Sequence, residues 1–375
     1  MVPGAFFPDP GGAQVQAHNL SNFLSEKKNS IDMFLFKKTN VKNFFYKIRY
    51  FNLLTVNIVF FFHYYLKIDI TFVLRWYLKS IVEKKYSAWH FIFLNYKSLL
   101  LINCLKKLNQ KIVVTFQGAD VQIKRGISYG NRIDKNYEIL LKKTLPKINI
   151  FTSISKTIYK ELRLLDIPKK KIIHIPNGII LSKFKNTNLN KNKILNLITV
   201  ARYANKKKGY DLLPKIAMNL IKKKINFCWT VIGSRTDELY KNKIIIQNSE
   251  KFKILNNLNY SESDSYYPNN KIINYYKNST VYVNLARIES FGITFVESLA
   301  SNIPIVTFDT KGANEIIKNN YNGFVIKGTN LNKFTEKLLF LNKKRNFFKK
   351  NPYNSVEKFD FKNLYKLYLG IYKNL

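Results

Sequence analysis

The sequence predicts an α/β protein built as two halves, each with a parallel sheet. Three observations predict it. The chain of 375 residues is too long for one ordinary core, and with 46% hydrophobic residues it has ample material to bury. Short apolar runs of strand type alternate with helical patterns in both halves, the signature of parallel sheets with crossover helices. A polar stretch, SKFKNTNLNKNK at 182–193, separates the halves as a linker would.

In the first half, His90-Phe91-Ile92-Phe93-Leu94 and Lys111-Ile112-Val113-Val114-Thr115-Phe116 read as strands. Ile148-Asn149-Ile150-Phe151-Thr152 is a third, followed by a helical segment over 155–165. Lys171-Ile172-Ile173-His174-Ile175 is a strand closed by the turn Pro176-Asn177-Gly178. In the second half, strands are expected at 194–200, 227–233, 281–285 and 303–308, with a helix at 209–224. The tail, 359–375, has helical periodicity.

Composition narrows the partners. The formal charge of +40 fits a nucleic-acid binder or a protein on anionic lipid, and equally a basic bias spread evenly along the chain. Motifs of the RNA- and DNA-binding modules are missing, so no nucleic acid is expected as a partner. Two cysteines, Cys104 and Cys228, form neither a zinc spacing nor a disulfide framework, which suits a cytoplasmic setting. No secretory signal is visible, and the charge-free run 51–66 is 16 residues long, short of the roughly 20 a spanning helix needs.

The segment carrying most chemistry is ESFGITFVESLASNIPIV, 289–306. Gly292 reaches backbone angles closed to other residues, and helical spacing begins just after it. The amides of Ile293, Thr294 and Phe295 would therefore lie free at a helix N-terminus, a ready site for an anion. Glu289 stands before it and Glu297 after it. A diphosphate flanked by two polyhydroxyl groups matches that shape, because carboxylates accept hydroxyl hydrogen bonds well. After the strand at 194–200 come Arg202 and Lys208-Gly209, placed to clamp the same diphosphate from the edge where α/β domains bind ligands. There is no D-x-D and no HExxH, so no metal cofactor is expected.

These residues resemble the family 4, group 1 glycosyltransferases. The family mark is E-x7-E with Phe-Gly before the second Glu, here Glu289…Phe291-Gly292…Glu297, together with R-x5-K-G, here Arg202…Lys208-Gly209. Lesser echoes are Gly11-Gly12-Ala13, Thr115-Phe116-Gln117-Gly118-Ala119-Asp120, Ser153-Ile154-Ser155, Gly312-Ala313-Asn314-Glu315 and Asn322-Gly323-Phe324. The resemblance covers nearly the whole chain. It implies the GT-B fold: two Rossmann-like domains with a cleft between them, at 1–181 and 194–355, and a C-terminal helix, 356–375, returning to the first. It also implies transfer of a hexose-type sugar, with retention and without a metal, from a nucleotide-diphosphate donor to a glycan or lipid-linked acceptor of the cell envelope. By the same resemblance Arg202 and Lys208 hold the phosphates, Glu297 the ribose and Glu289 the transferred sugar, and Gly12 lets the first loop reach the phosphates. Gln117 stands where the family often has a histidine near the sugar; an amide hydrogen-bonds but cannot move a proton.

Further readings stay open. A nucleotide-sugar epimerase or phosphorylase of the same fold shares the diphosphate site. The strand before Gly11 is nearly missing, with only 1–7 in its place, as if the start were set late. Residues 44–82 mix Phe44, Phe45, Tyr46, Phe60, Trp76 and Tyr77 with Lys47, Arg49, Lys67, Arg75 and Lys79, which fits either docking on an anionic membrane surface or a helix pair lying on the sheet. The four histidines, His18, His63, His90 and His174, share no motif and are expected in ordinary packing. Asp120 is expected either to touch the donor or to cap the chain that follows it.

Overall fold

The computed structural model describes residues 1–5, 11–39, 44–83, 85–184, 194–256, 264–348 and 351–375. It forms two compact units. One holds Met1–Pro176 with Lys362–Leu375, the other Asn177–Phe361. The second unit thus takes up 177–181, which the sequence reading grouped with the first half, and 182–184 of the expected linker. The cause is a short pairing: Ile179 N–H donates to Phe359 O and Phe361 N–H to Ile179 O, both at 2.9 Å. Most of the linker, 185–193, lies outside the described residues.

The strands of the first unit are β1 (Val2–Pro3), β2 (Asp32–Leu35), β3 (Lys47–Tyr50), β4 (Trp89–Ile92), β5 (Ile112–Phe116), β6 (Ile150–Ser153) and β7 (Ile172–His174). All pair in parallel, in the order β1-β4-β5-β6-β7, with β2-β3 alongside. Phe34 N–H donates to Met1 O at 2.9 Å and the Met1 amine to Asp32 O at 2.8 Å, so β2 adjoins β1. The order across is therefore 3-2-1-4-5-6-7, doubly wound, and two residues suffice for the central strand. The helices of this unit are α1 (Gly12–Glu26), α2 (Leu53–Phe61), α3 (Thr71–Val82), α4 (Tyr96–Lys107), α5 (Lys135–Thr144) and α6 (Lys156–Arg163). Asn52, Asn95, Asp134 and Ser155 cap α2, α4, α5 and α6 through their side chains.

In the second unit β8 (Leu195–Val200), β9 (Phe227–Gly233), β10 (Phe252–Asn256), β11 (Val281–Asn284), β12 (Ile305–Phe308) and β13 (Gly323–Ile326) run parallel in the order β10-β9-β8-β11-β12-β13. That is again 3-2-1-4-5-6. The direction of strand order reverses between β8 and β11, and a doubly wound sheet opens its ligand crevice at that point. The helices are α7 (Asn205–Lys208), α8 (Leu213–Lys222), α9 (Lys243–Gln247), α10 (Asn270–Lys277), α11 (Ile293–Ala300), α12 (Lys311–Ile316), α13 (Leu331–Lys343) and α14 (Asn351–Asn354). Leu197, Trp229, Val231, Val283 and Val306 of the sheet form its core with Leu213 and Leu220 of α8 and Phe334 and Leu338 of α13. The last helix, α15 (Phe361–Lys373), belongs from Lys362 onward with the first unit, where the Tyr372 hydroxyl meets His90 Nδ1 at 2.7 Å.

The helix expected at 209–224 is corrected. Gly209 does not open it. It ends α7 in the left-handed region, φ +70°, and a Cβ there would stand 2.0 Å from Leu285 O. The helix proper starts at Leu213, where Pro214 fits the first turn. All four histidines sit in ordinary hydrogen bonds: His18 with Tyr46, His63 with Tyr96, His90 with Thr115 and Tyr372, His174 with Ser153.

Candidate active site

The second unit assembles its site from the two loops at the switch point. The loop after β8 carries Arg202 and leads into α7. The loop after β11 runs from Leu285 to Gly292 and opens α11. The Lys208 ammonium lies 2.8 Å from Glu289 Oε2, both side chains being mostly buried. These two residues are 81 apart in sequence, and the structure brings them into an ion pair. Arg202 is exposed at the mouth of the same loop.

Lys207 joins this group, and sequence reading missed it. Burial pushes its amine down to about 7, and the charges of Lys208 and Arg202 push the same way, with Glu289 opposing. Lys207 thus feels the charges of Lys208 and Arg202 together, a basic field suited to a polyanion.

Arg287 was missed too. Its guanidinium binds Asp211 in fork geometry, at 2.7 and 2.6 Å, and also donates to Lys206 O at 2.7 Å. Its main-chain N–H donates to Lys207 O at 3.0 Å. The loop after β11 is thereby stitched to α7, which sets Lys208 against Glu289. No local motif reveals this, because Asp211 and Arg287 lie 76 residues apart. Asp211→Asn and Arg287→Met are each expected to slow turnover roughly ten-fold, and the double variant no further than either single one. Initial rates across the four proteins check it; additive losses would mean the two do not act as one clamp.

Gly292 has φ +90° and caps α11. A Cβ there would come within 2.3 Å of the Phe295 ring, so the position requires glycine. One expectation needs correction: Phe295 N–H is not free, since it donates to Gly292 O at 2.9 Å as the helix begins in a tight turn. Among the described residues no partner is found for the N–H groups of Ile293 and Thr294, both half-buried. The Tyr282 hydroxyl donates to Thr294 Oγ1 at 2.7 Å and steadies this end of the helix.

Glu297 is buried on α11, 4% exposed, and accepts from the Tyr276 hydroxyl at 2.9 Å. Burial raises its carboxyl to about 8, with the Tyr276 bond and the Lys183 charge opposing. Lys183 in turn donates to Tyr266 O and Pro268 O at 2.7 and 2.9 Å and lies 3.5 Å from Asp264. This buried polar group was not visible in the sequence.

In the first unit Gly12 begins α1, the helix that follows β1 in the chain, and the strand order reverses between β1 and β4. Gln117 follows β5. Its N–H and that of Gly118 donate to the buried Asp120 carboxylate at 3.1 and 2.8 Å, and Leu94 N–H does so at 3.3 Å. Asp120 therefore ties its own loop. Burial lifts its carboxyl to about 6 against those three bonds. Among the described residues no group of three or more His, Cys, Asp or Glu is placed to hold a metal ion.

The profile described as "Glycosyl transferases group 1" matches residues 182–355, and "Glycosyltransferase Family 4" matches 10–183. The chain belongs to the group 1, family 4 glycosyltransferases. Its fold is the GT-B fold of two Rossmann-like halves. An uncharacterised glycosyltransferase of Methanocaldococcus jannaschii is 31% identical over 134 residues, 36% of this chain and 34% of that one. A poly(ribitol-phosphate) alpha-N-acetylglucosaminyltransferase of Staphylococcus aureus is 28% identical over 97 residues, 24% of this glycosyltransferase and 20% of its own length. The matches thus span about a third and a fifth of those relatives. An Anabaena protein crystallised with UDP and glucose shares the fold at 12% identity and TM-score 0.73, covering 100% of this glycosyltransferase and 99% of that chain.

Proposed function

We propose that this glycosyltransferase moves a hexose from a nucleotide-diphosphate donor to a glycan or lipid-linked acceptor, with retention and without a metal, in envelope polysaccharide synthesis on the cytoplasmic face of the membrane. The observation that carries the reading is the convergence, at the switch point of one sheet, of the Lys208–Glu289 pair, Lys207 and the Gly292-capped start of α11. Charge grows on the departing diphosphate as the glycosidic bond breaks. Lys208, held by its ion pair with Glu289, and the amides of Ile293 and Thr294 at the start of α11 are fixed beforehand, so they stabilise that charge more in the transition state than in the ground state, and Arg202 adds its charge from the exposed loop. The departing phosphate then takes the acceptor's proton, and the acceptor attacks from the same face. Glu289 holds sugar hydroxyls and Glu297 the ribose. Envelope polymers are favoured because the Staphylococcus aureus relative acts on poly(ribitol-phosphate).

The acceptor has a candidate place in the first unit. A cavity of about 450 Å³ is lined by Asn95, Tyr96, Ser128, Asn131, Asp134 and Tyr137, beyond the C-terminal ends of β4 and β5. Hydroxyls, amides and a carboxylate beside tyrosine rings suit a sugar.

A thermal-unfolding panel of nucleoside diphosphates tests the donor reading. At a hundred times its dissociation constant the right one stabilises the chain by about 2.7 kcal/mol, and a chelator leaves the shift intact. No shift with any nucleoside diphosphate, or a free epimerised sugar as product, would overturn it. The anomeric configuration of the product, read by NMR, decides retention.

A further inference from the structure

We infer that the first unit docks on an anionic lipid bilayer through the outer faces of α2 and α3. α2 runs directly into a wider turn of π geometry, Phe62–Leu66, which ends at Lys67 in the left-handed region. This stretch has two apolar faces. Val56 and Val59 are buried, as helix-to-helix packing requires. Leu54, Ile58, Phe61 and Tyr65, at steps of four, three and four, form the opposite stripe, and all are exposed, Leu54 at 70%. α3 repeats the pattern. Leu74 and Leu78 are buried, while Phe72 and Trp76 point outward, Trp76 at 79%. Both helices lie against α4 and against each other, so the outer stripes face away from the unit. The helices thus lie on the fold, as one sequence reading of 44–82 had it, and leave an aromatic face uncovered.

A soluble surface rarely leaves so many large apolar side chains together. The occupant follows from charge. Lys47, Lys67, Arg75 and Lys79 stand in 44–82 against one acid, Asp69, while Arg49 is taken up in an ion pair with Asp32. A second copy of a chain carrying +40 would be repelled, whereas an anionic bilayer attracts it, each basic residue near the surface adding to the binding. Aromatic and basic residues on one helical face suit the headgroup boundary. No described helix is long and apolar enough to cross a membrane, so the contact lies along the surface. The inner side of the same turn reaches the cavity proposed for the acceptor: His63 Nδ1 meets the Tyr96 hydroxyl at 2.8 Å and the Tyr64 hydroxyl donates to Asp134 at 2.7 Å. Granted that acceptor reading, docking brings a lipid-linked acceptor beside its cavity.

The sequence supplies its own probe. Of the three tryptophans, Trp89 and Trp229 are buried and Trp76 alone is exposed. The whole chain is mixed with vesicles of phosphatidylcholine alone or with an equal share of phosphatidylglycerol, and with brominated acyl chains. Sedimentation with the anionic vesicles only, and quenching of Trp76 emission by bromine, are expected. Trp76→Phe should keep the binding and abolish the quenching, and Phe61→Glu with Trp76→Glu should weaken binding roughly ten-fold or more. No sedimentation with anionic vesicles, sedimentation without quenching, or full binding by the double Glu variant would overturn the proposal. So would a concentration-dependent dimer that shields Trp76 without lipid. Nucleoside diphosphate binding, measured on the same samples, separates failure of this proposal from failure of the transfer reading.

Discussion

Lys208→Ala is expected to lower kcat/KM by about 10²–10³-fold, the usual loss when one preorganised group is removed from a developing negative charge. The structure adds a second consequence. Lys208 is the ion-pair partner of Glu289, whose carboxylate is mostly buried. Without the lysine that carboxylate stands uncompensated where a diphosphate must bind, and like charges at close range disfavour each other. Nucleoside diphosphate affinity should therefore fall in Lys208→Ala and recover in part when Glu289→Gln is added. Turnover should not recover, because Glu289→Gln also removes the group proposed to hold the sugar. Calorimetric titration with the diphosphate and initial rates of transfer give the two readouts. Equal diphosphate affinity in wild type and Lys208→Ala would show that the pair lies outside the phosphate site.

Glu289, Phe291-Gly292 and Glu297 were legible because the chemistry sits in one contiguous block and because glycine at φ +90° has no substitute among other residues. Strands were legible for a similar reason: Phe227–Gly233 is a run rich in aromatic and β-branched residues and β9 has those bounds. What the sequence concealed depends on distance along the chain. Arg287 and Asp211, Lys183 and Asp264, and Tyr276 and Glu297 each become partners only through tertiary packing. The charge background hides them further. Among 63 basic residues, Lys207 differs from its neighbours only by its burial, and no spacing rule shows that. Likewise β1 looked too short to serve as a strand, yet two residues bonded on both sides fill the centre of a doubly wound sheet.

Glu297 should make nucleotide binding and stability depend on pH in opposite senses. Its carboxyl is raised to about 8 from an ordinary 4.5 by burial. Between those values the folded chain holds a proton that the unfolded chain has released, so stability falls as pH rises from about 4.5 through 8, by up to ~1.4 kcal/mol per pH unit for this one group. A carboxylate that accepts two ribose hydroxyls must be ionised, and the nucleotide supplies hydroxyl donors that favour that form. Affinity for a nucleoside diphosphate should therefore rise toward pH 8 and release a proton on binding. Glu297→Gln keeps the shape and the Tyr276 hydroxyl bond but has no proton to lose. It should flatten the pH dependence of both urea-unfolding stability and affinity, and weaken binding about ten-fold or more through loss of a charge-assisted hydrogen bond. Titration in two buffers of different ionisation enthalpy counts the released proton. If wild type releases none, or if Glu297→Gln binds the diphosphate as tightly at pH 8, Glu297 is a buried acid of the helix core and the ribose is held elsewhere.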